Sequence, residues 1–228
     1  MLTLRSITNP KDHALERLGR IQDAVYPDPN MLIPASMFGQ LLEWSVPERQ
    51  NFFIVAEKEG EVLGGAVFHL FAEVGAGFSS FLGVSKAAQG QGVSSKLHHF
   101  RWQVLEDALK HEPEGLFIDV VNPARLSAKE FAAEERVGSS PLRRRAIFAH
   151  LGFKQLDLEY VQPSSPPVTN MDLLFYSPAR PSSIATQLVT DTMITYWQPW
   201  LGEQRAARAA LELRARAGGD TVDLIEPV

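Results

Sequence analysis

The chain reads as an α+β protein: a mixed, mostly antiparallel central sheet flanked by helices, with an extra C-terminal helical tail. Three observations predict this. Residues 2–7 alternate apolar and polar as a half-buried strand does, ahead of two helical stretches. Residues 52–57 and 61–71 bracket Glu59-Gly60, a hairpin with a polar–Gly turn. A second reversal at Gly75-Ala76-Gly77 leads into a further strand, so strands meet antiparallel before any crossover; a doubly wound sheet would alternate strand and helix from the start.

The elements follow in order. Asn9-Pro10 opens a helix near Asp12, with Leu15, Leu18 and Ile21 on one face. A turn over 26–30 separates it from a second helix, roughly 34–44. An apolar run, Phe81-Leu82-Gly83-Val84, feeds a glycine turn and then an amphipathic helix over 93–110. Val93, Leu97, Phe100, Val104 and Ala108 are its expected core stripe. Residues 116–121 form an apolar strand ending at Asn122. Beyond it, Ser127-Ala128-Lys129-Glu130 is a capping box that starts a short helix, and Ser140-Pro141 supplies the cap and first-turn proline of the next. Residues 153–161 and 171–176 are the last two strands, joined by a proline-rich connector over 162–167. The tail holds two helices, 182–196 and 203–217, with Trp197, Pro199 and Trp200 between them. The division expected is 1–180 for the main domain and 181–228 for the extension.

Composition bounds the function. With 45% apolar and 21% charged residues the chain is of ordinary globular make-up. No apolar run approaches the ~20 residues of a membrane helix, and the first residues are not those of a signal peptide. No cysteine is present, which excludes disulfides, thiolate metal sites and cysteine nucleophiles; a cytoplasmic address is the expectation. The net charge of −5 argues against a general nucleic-acid binder, whose affinity is built from excess Lys and Arg. No pair of histidines has metal-ligand spacing, and no metal is expected.

The most telling stretch is Gln89-Gly90-Gln91-Gly92-Val93-Ser94. A strand that feeds a short glycine turn and then a helix presents free backbone N–H groups and the helix's positive end to an anion. Two common phosphate loops do not fit: no Lys-Ser or Lys-Thr follows Gly92 as Walker A requires, and Ser95 stands where a dinucleotide fingerprint needs its third glycine. The pattern Gln/Arg-x-x-Gly-x-Gly/Ala is met by Gln89, Gly92 and, with Ser for the final small residue, Ser94. This resembles the acetyl-CoA pyrophosphate loop of the GNAT N-acetyltransferase superfamily. The resemblance runs from about Leu2 to Tyr176. It takes in 81–84 as the family's fourth strand, 93–110 as its central helix, 116–122 as strand five, and the helix ending in Leu151-Gly152-Phe153.

The resemblance implies a GNAT fold and an acetyl-CoA-dependent acyltransferase that acetylates a primary amine by direct attack in a ternary complex. It implies that Gln89, Gly90, Gln91, Gly92, Val93 and Ser94 hold the pyrophosphate. It further implies that backbone groups of Leu82, Gly83 and Val84 meet the acyl-pantetheine arm, and that Asn122 reaches the pantetheine or a neighbouring backbone group. As Asn-Pro, Asn122 equally suits a turn. Where many family members carry a tyrosine that protonates the departing thiolate, this chain has Phe148, and the frequent strand-four glutamate has no counterpart at Phe78, Ser79 or Ser80.

Substitute catalytic groups are therefore sought. His69 and Glu73 share a face of the third strand, with Phe71 between them, if alternation holds; an exposed hairpin end is the alternative. Asp119, in an apolar strand, is expected half-buried with a raised pKa, as a base or as a structural hydrogen-bond partner. Arg143-Arg144-Arg145 suits either the adenosine 3′-phosphate or a solvated helix face. The acceptor pocket is expected to draw on Tyr26, Met31, Phe38 and Trp44, each of which also suits a core. Two other readings stand beside the enzyme: a non-catalytic acyl-CoA-binding or sensing module, and an interaction protein working through its C-terminal helices. In the tail, Ala185, Val189, Met193 and Tyr196 make one apolar stripe and Ala207, Ala210, Leu211 and Leu213 another. These must be covered by a second copy, as a homodimer, or by their own domain.

Overall fold

The computed structural model of this chain describes residues 1–26, 32–136 and 140–227. Its strands are β1 (Leu2–Ile7), β2 (Arg49–Lys58), β3 (Glu61–Phe71), β4 (Ala76–Val84), β5 (Gly115–Val121), β6 (Lys154–Leu156), β7 (Met171–Tyr176), β8 (Ser183–Ala185) and β9 (Thr221–Ile225). They form one sheet in the order β1-β2-β3-β4-β5-β7-β6-β9-β8. The helices are α1 (His13–Val25), α2 (Phe38–Glu43), α3 (Val93–Leu109), α4 (Ala128–Arg136), α5 (Pro141–His150), α6 (Thr186–Leu201) and α7 (Glu203–Ala217). This is the mixed, mostly antiparallel sheet flanked by helices that the element order predicts.

Strand alternation sorts the core into faces. Phe53, Val55, Val67 and Phe81 pack with Leu15, Leu18 and Ile21 of α1 and Phe38 of α2. Ile54, Ala66, Phe68, Ile118 and Val120 face Leu97 and Leu105 of α3 and Phe148 of α5. The middle of the sheet decides the architecture. β4 and β5 run parallel but pair only over Ala76↔Gly115, Gly77↔Leu116 and Phe78↔Phe117. Just past that point β4 bulges: Phe68 pairs with Ser79 and Val67 with Phe81, leaving Ser80 as the extra residue. A bulge bends its strand and increases the local twist. β4 and β5 therefore part into a fork beyond Phe78 and Phe117.

The capping box at Ser127 forms as expected. Its backbone N–H donates to Glu130 Oε2 at 2.8 Å, while Glu130 N donates to Ser127 Oγ at 3.3 Å. The α3 stripe is rotated from the expected one. Val93, Leu97, His98, Arg101, Trp102 and Leu105 are buried, while Phe100, Val104 and Ala108 lie at the margin. The cause is Arg101, whose fully buried guanidinium donates to Ser79 Oγ, contacts His98 Nδ1 at 2.9 Å and lies over the Phe153 ring. Burial lowers its pKa to about 9. A hydrophobicity pattern steers away from a charged residue that belongs in the seam.

The tail holds more than helices. α6 continues through Trp197, Pro199 and Trp200 instead of stopping at 196, and β8 and β9 extend the sheet past β6. Pro199 has no N–H for the Thr195 carbonyl four residues back. Arg49 Nη1 of β2 donates to that carbonyl at 2.7 Å, fastening the helix to the sheet. Val189, Met193 and Trp197 of α6, with Ala206, Ala210 and Leu213 of α7, bury against Phe78, Phe117 and Phe175. Of the stripe residues expected to seek a partner, Ala185 and Leu211 are exposed and Val189, Met193, Ala210 and Leu213 are covered within the chain. Deleting residues 181–228 is therefore expected to strip one face of the sheet and leave no soluble folded domain. A cooperative thermal transition in the 1–180 fragment, followed by circular dichroism, would contradict this.

Candidate active site

A cleft of about 300 Å³ opens along one side of the fork. Leu82, Gly83 and Val84 form its wall on β4. Gln89, Gly90, Gly92, Val93 and Ser94 of the loop and the start of α3 line it too, with Arg143, Arg144, Ile147 and Phe148 of α5 and with Tyr26. Eight of the ten residues expected around an acyl-CoA are thus brought together. Gln91 is not among the lining residues; its amide donates to Ala87 O at 2.9 Å. Asn122 is also elsewhere. Its Nδ2 donates to Asp172 Oδ2 at 2.8 Å and its Oδ1 accepts from Ala124 N at 2.9 Å, which is the turn reading of Asn-Pro.

The loop's local geometry follows from its glycines. Gly90 and Gly92 have φ of 77° and 72°, the left-handed region that side chains with a Cβ resist. A Cβ at either position would meet no atom within 4 Å, so both face open space. Gly92 is the N-cap of α3 and brings no side-chain hydrogen bond to it, so the first-turn N–H groups and the helix's positive end are available to an anion.

The basic triplet at the start of α5 divides three ways. Arg143 lines the cleft. Arg144 pairs with Glu134 of α4 and lies over the Tyr26 ring at 5.1 Å, so it ties the insertion after β5 to the end of α1. Arg145 points into the core, donating to Asp172 Oδ2 at 2.7 Å and Gln155 Oε1 at 2.6 Å. Of the expected acceptor residues, Tyr26 reaches the cleft, Phe38 is core, Trp44 is exposed, and Met31 lies outside the described residues.

The three catalytic candidates separate. Glu73 does not share a strand face with His69: β3 ends at Phe71 and Glu73 stands exposed in the turn before β4, where Gly75 N donates to Phe71 O. His69 is buried, its Nδ1 2.7 Å from Asn51 Oδ1 and its Nε2 2.8 Å from Ser80 Oγ. Burial, with the charge of Arg49 adding to it, holds this imidazole well below its usual pKa, so it is neutral. Asp119 lies on β5 two residues beyond the last pair with β4. Tyr160 Oη donates to its Oδ2 at 3.0 Å and Gln162 Nε2 does so at 3.4 Å. Burial raises its carboxyl to about 6 against the hydrogen bond from Tyr160.

Sequence reasoning missed Ser80, Asn51, Tyr160 and Tyr196 as site neighbours. Tyr196 stacks on Phe78 with ring centroids 3.7 Å apart, and its Oη is 3.5 Å from Ser80 Oγ. No local signal marks these residues, because their partners are distant in the chain.

The chain belongs to the acetyltransferase (GNAT) family, whose model matches residues 16–138, more than half of its length. Among curated proteins none matches the chain. Solved structures share the fold. An acetyltransferase of the GNAT family from Bacteroides thetaiotaomicron has a TM-score of 0.58 at 11% identity, covering 88% of this chain and 98% of its own. An acetyltransferase from Staphylococcus epidermidis gives 0.52 at 14%, covering 78% and 99%. An aminoglycoside 6'-N-acetyltransferase complexed with coenzyme A gives 0.50 at 11%, covering 76% and 94%.

Proposed function

We propose that this protein transfers an acetyl group from acetyl-CoA to a primary amine by direct attack in a ternary complex. The observation that carries the reading is the shared cleft. The positive-φ glycine loop, the N-terminus of α3 and the free end of β4 all open onto one cavity beside the fork. Family membership and a structural neighbour holding coenzyme A support the same ligand. Backbone N–H groups of residues 89–94 would take the pyrophosphate, and the unpaired edge of β4 at residues 82–84 would orient the thioester and polarise its carbonyl.

Asp119 is the base that fits best. A carboxylate with a pKa near 6 is ionised at neutral pH yet basic enough to take a proton from the nitrogen of a neutral amine as it attacks the thioester carbonyl, while coenzyme A leaves as its thiolate. Tyr160 holds one of its oxygens and thereby fixes the other's direction. Phe148 lines the cleft on α5, packed edge-on against Phe153, and has no proton for a leaving thiolate. Positioning alone supplies several kcal/mol of rate enhancement, so a missing acid does not preclude turnover. The same phenylalanine favours the second reading, an acyl-CoA-binding module without chemistry. Thiol release from acetyl-CoA against a broad amine panel separates the two.

Phe148→Tyr is expected to be tolerated, because the side chain borders open cleft, and to raise kcat up to about tenfold by restoring a proton donor. An unchanged rate and pH–rate profile would mean that proton supply to sulfur does not limit the reaction.

A further inference from the structure

The polar cluster around Ser80 has a direction that begins at α2. Leu41 sits in the last turn of that helix, where carbonyls lack an intrahelical partner, and a carbonyl can only accept. Asn51 Nδ2 donates to Leu41 O at 2.8 Å, which turns Asn51 Oδ1 toward His69 Nδ1 at 2.7 Å. Nδ1 must therefore carry the hydrogen of the neutral ring, and Nε2 is left as an acceptor. Its neighbour at 2.8 Å is Ser80 Oγ, so the serine's only proton is committed to His69. Tyr196 Oη lies 3.5 Å from Ser80 Oγ, too far for a strong bond, so with its proton given to His69 the serine is left to accept.

Ser80 is half-buried at the bulge where β4 leaves β5, and Asp119 stands at the matching place on β5. Ser80, Tyr196 and Asp119 are each only partly buried; desolvation raises the pKa of the Tyr196 hydroxyl and the charge of Asp119 adds to it. We propose that Ser80, held as an acceptor-only oxygen by Asn51 and His69, receives one N–H of the acceptor amine and selects primary amines over secondary amines and alcohols. The inference rests on the amine acetyltransferase reading above. A primary amine attacking the thioester needs one hydrogen for Asp119 and keeps a second for Ser80. A secondary amine or an alcohol has one, which the base must take. Ser80 touches the substrate in this scheme; His69 and Asn51 are positioning residues. They act by fixing which way the serine's proton points, and His69 itself takes no proton.

The test uses the full chain with matched primary and N-methylated amines, measuring kcat and KM separately, with acetyl-CoA affinity by calorimetry as the control. Ser80→Ala is expected to raise KM for the primary amine about 3–10-fold, the worth of one neutral hydrogen bond. KM for the N-methyl partner should stay unchanged, so discrimination falls. Asn51→Asp is expected to raise it further: a carboxylate beside Nδ1 favours the imidazolium, whose Nε2–H reverses the serine into a donor facing the amine. Nitrogen-15 spectra of the wild-type imidazole, which need no variant to fold, should show the Nδ1–H tautomer at His69. An Nε2–H tautomer, or equal discrimination in wild type and Ser80→Ala, overturns the inference while leaving the acetyltransferase reading intact. A wild type that binds acetyl-CoA and acetylates no amine overturns both.

Discussion

Replacing Gly92 by glutamate is expected to abolish coenzyme A and acetyl-CoA binding, on the order of 100-fold in Kd or more, equivalent to about 3 kcal/mol. Two effects act in the same direction. Gly92 has φ of 72°, and forcing a residue with a Cβ there costs roughly 1–2 kcal/mol. The new side chain also points into space that holds no protein atom within 4 Å, putting a negative charge where the helix's positive end would face a pyrophosphate. Gly92→Ala separates the terms, because it carries the backbone strain without the charge and should weaken binding far less. Calorimetry with coenzyme A, alongside circular dichroism, reads the result. Unchanged affinity in a folded Gly92→Glu protein would remove the loop from the ligand site, and with it the central claim.

Asp119→Asn is expected to lower kcat by about 10²–10⁴, the usual contribution of a positioned base, with acetyl-CoA affinity preserved. The wild-type pH profile should rise with a midpoint near 6 and the variant should lack that limb. Stability should move the opposite way, and the sign is informative. The folded-state pKa of Asp119 is raised by burial above its unfolded value, so between roughly 4 and 6 the native state binds more protons than the unfolded chain. Stability from this group therefore falls as pH rises through that window and is lowest above it. Asparagine keeps an oxygen for Tyr160 and removes the buried charge. The variant should be more stable than wild type at pH 8, on the order of 1–3 kcal/mol, and equal to it below about pH 4. A less stable variant at pH 8 would assign Asp119 a structural role, held in place by Tyr160 and Gln162.

Local chemistry made much of this protein legible in advance. Alternation located β1, the polar–Gly turn located the β2–β3 hairpin, and apolar runs located β4 and β5, because each strand buries one face or both. Ser127-x-x-Glu130 and Ser140-Pro141 marked helix starts because capping joins groups only a few residues apart. The glycine turn announced its anion-ready geometry because positive φ at Gly90 and Gly92 and the start of α3 are properties of consecutive residues.

What the chain kept from view depends on groups far apart in it. Pro199 looks like a helix end, and α6 continues through it because Arg49, on β2, supplies a donor for the carbonyl that the proline leaves free. Arg101 disguised the buried face of α3 because its partner Ser79 lies on another element. Asn122 matched a motif position, yet its amide is turned to Asp172 of β7. The Asn51–His69–Ser80–Tyr196 chain beside the fork of β4 and β5 joins three neighbouring strands, β2, β3 and β4, to α6. The strands and helices of the first half, the caps and the glycine loop were legible from the residues alone, because their energetics act over a few residues; β8, β9 and the length of α6 were not. Where buried polar groups find their partners is a question of which distant segments the sheet brings within 3 Å, and only the tertiary structure decided it.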